Sequence, residues 1–100
     1  MTALQQTPKD PYSSLSEILD LAYLRASEGK GKERHADDKN FEDQDICEEL
    51  RIFDSISPAL FQIRKKTKET RKLSKEQSIN ELLDTIVYSA AAVLVLKESK

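Results

Sequence analysis

The chain has 100 residues, a formal net charge of −2, and charged side chains at 34% of positions. That length makes one domain, and as a lone monomer it buries only roughly 60–65% of its unfolded surface. The net negative balance excludes a general binder of DNA or RNA polymers, so any anion site has to be a local patch.

The single cysteine, Cys47, forms no internal disulfide and fits a reduced cytosolic protein. Met1 to Pro8 has neither a basic n-region nor an apolar h-region, so no signal peptide is expected. Residues 1–13 read as a loose arm holding Pro8 and Pro11, with Tyr12 as its apolar exception. The helical domain is expected over 14–100.

Ser14 and Glu17 have the spacing of a capping box and open the first predicted helix. Leu15, Ile18, Leu19, Ala22, Tyr23 and Ala26 follow as one apolar stripe, and Gly29 ends the helix as a C-terminal cap. Asn40 is the predicted N-cap of the second helix, with Asp43 at N3 and acids where the dipole favours them. Its inner face is Ile46, Cys47, Leu50, Phe53 and Ile56. Pro58 interrupts the pattern, but Leu60, Phe61, Ile63 and Thr67 keep the helical period, which predicts a kink or short break.

Arg64 to Lys72 holds six cations against one acid, whereas Asp37 to Glu49 is strongly acidic. Opposite patches of this kind suit either two solvated faces or a subunit contact. Ser74 and Gln77 form a second capping box ahead of the last helix. From Ile86 to Leu96 that helix is apolar almost all round, which requires burial on more than one side, most simply against other copies. The eleven-residue run is too short to span a bilayer, so no membrane is expected. The expected fold is all-α: a short first helix on a long antiparallel helical hairpin with a kinked second helix, oligomeric.

The chemistry concentrates in Gly29-Lys-Gly-Lys-Glu-Arg-His-Ala36. Gly29 and Gly31 allow close backbone approach, and Lys30, Lys32 and Arg34 suit phosphate oxygens. His35 has no second histidine or cysteine at ligand spacing, so no metal is expected there; it is suited to meeting a phosphate or a base. Arg64, Lys65, Lys66 and Arg71 offer a second basic surface, without interleaved aromatics. Glu81 with Asp84, and Asp45 with Glu48, have the spacing by which helical bundles hold magnesium. They make a MazG-type nucleoside triphosphate pyrophosphohydrolase the enzymatic alternative.

With Gly29 to Ala36 and the following Phe41-Glu-Asp-Gln44, the chain resembles the hairpin-domain sponge proteins that bacteriophages use against CBASS and Thoeris immunity. The resemblance runs over Leu15 to Glu98 and is closest to the short all-helical anti-CBASS type. It implies a non-enzymatic binder, without cofactor, that sequesters cyclic dinucleotides and cyclic trinucleotides in the cytoplasm of the infected bacterium. It also implies a homohexamer. Thoeris-directed members, the other alternative, bind cyclic ADP-ribose isomers and usually carry β-structure. The ligand-binding residues expected on this reading are Tyr12, Gly29, Lys30, Gly31, Lys32, Arg34, His35, Arg64, Lys65 and Arg71. Spacing leaves Tyr12 and Tyr23 both open as the base-stacking ring; Tyr23 lies on the apolar stripe and is assigned to the core, which favours Tyr12.

Overall fold

The computed structural model describes residues 10–28 and 39–98. Four helices make up most of them: α1 (Ser13–Glu28), α2 (Asp45–Phe53), α3 (Ser57–Glu69) and α4 (Lys75–Glu98). Two 3-10 turns, Phe41–Asp43 and Thr70–Lys72, precede α2 and follow α3, and no strand occurs among the described residues. The chain is all-α, as its periodicity predicts.

The helix ends show where local chemistry ruled. α1 begins at Ser13, one residue before the predicted cap, because Asp10 makes the turn. Its carboxylate accepts from the Tyr12 N–H at 2.9 Å and its carbonyl from the Ser13 N–H at 3.2 Å. Ser14 is therefore already helical and is not the cap. Asn40 is likewise not the cap of α2: it precedes the 3-10 turn and makes no side-chain cap bond, and Gln44 is the residue before α2. The Ser74–Gln77 box does form. The Gln77 N–H donates to Ser74 Oγ at 3.2 Å, and the Ser74 N–H to Gln77 Oε1 at 3.3 Å.

The interruption before Pro58 is a full break, and Asp54 makes it. Asp54 takes φ 51° and ψ 41°. Its N–H returns to the Arg51 carbonyl and that of Ser55 to the Leu50 carbonyl, the two bonds of a Schellman motif. Glycine usually fills this left-handed position, and aspartate is among the few other residues that tolerate it. Ser55 Oγ then accepts the Ser57 N–H at 3.0 Å, and Pro58 falls in the first turn of α3, where its missing N–H leaves no gap. α3 descends along α4: Ala59 shares a cluster with Ala91 and Ala92, Lys66 meets Glu81, and the Thr70 carbonyl accepts from Ser78 Oγ.

The core lies on α4. Ile46, Cys47 and Leu50 of α2 pack with Ala59, Ala91 and Ala92, flanked by Ile56, Val87, Tyr88 and Val95. Leu50, 1% exposed, contributes roughly 2 kcal/mol by leaving water. α1 stands outside this cluster and buries only Ala22, while Leu15, Ile18, Leu19, Leu21 and Leu24 stay about half exposed. At 24 residues α4 is long and apolar enough, by length and composition, to cross a membrane, although its Ile86–Leu96 run alone is too short. Glu81 and Asp84, in its first half, are both engaged by cations of the fold.

Candidate functional site

Asp84 is the meeting point of three helices. Arg25 of α1 donates to it twice, Nε to Oδ1 at 2.6 Å and Nη2 to Oδ2 at 3.3 Å. Lys66 of α3 reaches Asp84 Oδ2 at 3.4 Å and Glu81 Oε2 at 3.1 Å. Lys66 is 8% exposed, and its Nζ lies 6.0 Å from the centre of the Tyr88 ring. Two cations thus neutralise two carboxylates at little contact with water, which is the condition under which burying them is tolerable. Sequence reasoning counted Lys66 with the basic surface. Its helical phase, in line with buried Ala59 and partly buried Ile63, is the signal that assigns it inward.

This geometry bears on the carboxylate pairs. Glu81 and Asp84 face Lys66 and Arg25. The other pair lies at the far end of α4: Glu48 is 3.5 Å from Arg51, and Arg51 binds Glu98. Glu98 is fourteen residues beyond Asp84, roughly 21 Å along the helix axis. The two pairs do not converge on one pocket. No group of three or more metal-ligating side chains occurs among the described residues.

A groove of about 680 Å³ opens between α1, the 39–44 segment and α4. Leu19, Ala22, Ala26, Ile86, Val87 and Ala90 form its apolar floor. Its polar and aromatic groups are Tyr23, Ser27, Lys39, Phe41 and Gln44. Gln44 is held by donating to the Lys39 carbonyl at 3.0 Å, and Ser27 by donating to the Tyr23 carbonyl at 2.9 Å. Tyr23 is 64% exposed. Its assignment to the core is therefore corrected: α1 is tied to α4 by the Arg25–Asp84 pair and buries only Ala22, so most of its apolar stripe, Tyr23 included, stays exposed. Tyr12 is also exposed, at the start of α1, and does not line the groove.

Gly29, Lys30, Gly31, Lys32, Arg34 and His35 lie outside the described residues, as do the first nine residues of the predicted arm. Ser27 and Lys39, close to either end of the 29–38 segment in sequence, both line the groove. Of the second basic set, Arg64 and Arg71 share one face with Thr67 and Lys68 around a shallow concavity of about 370 Å³. Lys65 is exposed but outside that concavity, one helical position round from Arg64. Lys68 takes its place, and the i, i+4 and i+7 spacing from Arg64 was the signal for it.

The paired hydrogen bonds from Arg51, 2.9 and 2.8 Å long, hold Glu98 below the usual carboxylate range and push the guanidinium up in return. Burial pushes the Cys47 thiol up, against a smaller opposing pull from Arg51. Comparison with protein-family models, curated proteins and solved structures returned no match.

Proposed function

We propose that this protein binds cyclic oligonucleotide second messengers, cyclic dinucleotides and cyclic trinucleotides, and sequesters them without cleaving them. On this reading it is a bacteriophage protein acting in the cytoplasm of the infected bacterium, where it starves CBASS-type immunity of its signal, and it works as a homohexamer. The observation that carries the reading is the groove whose lining residues Ser27 and Lys39 flank, in sequence, the segment that holds Gly-Lys-Gly-Lys-Glu-Arg-His-Ala. Its volume is that of a small-molecule site. It offers the rings of Tyr23 and Phe41 for bases and Lys39 for phosphate, and Lys30, Lys32 and Arg34 belong to the segment between its rim residues.

Arg64, Lys68 and Arg71 support a second anion-binding surface. No ion pair engages these three among the described residues. The pyrophosphohydrolase alternative is weakened by the engagement of Glu81 and Asp84 with Lys66 and Arg25. The Thoeris alternative lacks strand support among the described residues.

Calorimetric titration with a panel of cyclic di- and trinucleotides tests the proposal. The parent should bind at least one of them, and Tyr23→Ala and Lys39→Ala should each weaken it while leaving the helical circular dichroism unchanged. Absence of binding to every member of the panel would overturn the reading.

A further inference from the structure

α4 has an open seam that none of the ligand chemistry uses. Ile79, Leu82, Ile86, Ser89, Val93 and Leu96 follow one another at intervals of three, four, three, four and three residues. This is the a/d spacing of a heptad, with Ile79, Ile86 and Val93 at a and Leu82, Ser89 and Leu96 at d. All three a positions are β-branched, and two of three d positions are leucine, the assignment that favours two parallel strands. Four of the six are about half exposed, from 46% at Ile79 and Leu82 to 53% at Leu96 and 55% at Val93. The seam lies opposite the face through which Asp84, Tyr88, Ala91 and Val95 meet the rest of the fold.

We infer that this seam is an interface with the same seam of a second copy, the two α4 helices running parallel and in register about a two-fold axis. Three features select that occupant. A parallel, in-register contact sets each residue against its own counterpart, so a charge on the seam would repel itself. In a chain with 34% charged residues, no charge occupies an a, d, e or g position from Ile79 through Leu96: the flanks are Leu83, Thr85, Ala90 and Ala92. A parallel register also sets Ser89 against Ser89, where two hydroxyls can satisfy each other; an antiparallel one sets it against apolar Ile86. Finally, Ile86 and Ala90 belong both to the seam or its flank and to the groove lining, so the second copy would form part of that groove's wall.

The inference stands on the heptad and shares with the proposed function only its self-association; ligand binding can hold or fail independently of it. Single variants Leu82→Cys and Leu96→Cys in the full chain test it under mild oxidation; native Cys47 is fully buried. Each is expected to link to its own counterpart, giving a covalent dimer with unchanged helical content. Antiparallel pairing separates Leu82 from its counterpart by several turns, so failure of either variant to link would overturn the parallel seam. Leu82→Glu and Val93→Glu, at exposed positions, should abolish that association in sedimentation while staying helical. Retained association would overturn the inference. So would flotation of the parent with phosphatidylcholine vesicles that these two variants lose, which would assign the seam to lipid.

Discussion

Arg25 and Asp84, 59 residues apart in sequence, join α1 to α4 through a two-pronged ion pair with its shorter arm at 2.6 Å. Because α1 buries only Ala22 on the body, this contact is, among the described residues, the polar tie that joins one wall of the groove to α4. Removing one partner of a buried pair leaves the other charge uncompensated. Asp84→Ala should cost about 3 kcal/mol, the low end of the range because both side chains keep some water contact. Arg25→Ala should cost less, since Lys66 still faces Asp84. Chemical denaturation of both variants checks the order, and equal losses would contradict the network as described.

The Arg51–Glu98 clasp gives a pH signature at the other end of α4. The hydrogen bonds from Arg51 lower the Glu98 carboxyl in the fold, so its stabilisation is present above the ordinary glutamate range. It is lost as pH falls through the lowered folded value. Melting curves taken from neutral pH down through the glutamate range should show the parent's advantage over Glu98→Gln constant above that range and shrinking as pH falls below it. Parallel curves across that window would show that the clasp contributes nothing.

Cys47 reports on the core. It is fully buried, and burial raises its thiol, so the reactive thiolate is suppressed twice over. A thiol reagent should modify the native protein only as fast as the core opens, and rapidly in denaturant. Fast stoichiometric labelling of the native protein would place α2 away from α4.

The helices, the Ser74–Gln77 box and an interruption near Pro58 could all be read from the sequence, because they rest on local spacing. Asp54 could not be foreseen as the break, since the left-handed position usually calls for glycine and the chain has none there. Lys66 was hidden among neighbouring cations; its helical phase with Ala59 and Ile63, rather than its residue type, turns it inward to Glu81 and Asp84. Tyr23 shows the opposite error: the stripe on α1 is broader than the strip α4 covers, and periodicity alone does not say how much of an apolar face finds a partner.

The groove and the basic α3 face should separate in a titration. A charge-assisted hydrogen bond to phosphate is worth roughly 1.5–3 kcal/mol, so Arg34→Ala or Lys32→Ala should weaken cyclic-nucleotide binding by about ten- to a hundredfold. Arg64→Ala and Arg71→Ala should leave a ligand held in the groove unaffected and weaken only one held on α3. Isothermal titration at two salt concentrations checks this, and a uniform loss for all four variants would reduce the two surfaces to one diffuse attraction.

The most direct measurement is recovery of the ligand. The protein is mixed with a cyclic dinucleotide or trinucleotide, freed of unbound nucleotide, heated to unfold it, and the released material is identified by chromatography and mass. Sequestration predicts a stoichiometric complex that returns the intact cyclic nucleotide. Linear nucleotide, pyrophosphate, or no bound nucleotide at all would contradict it.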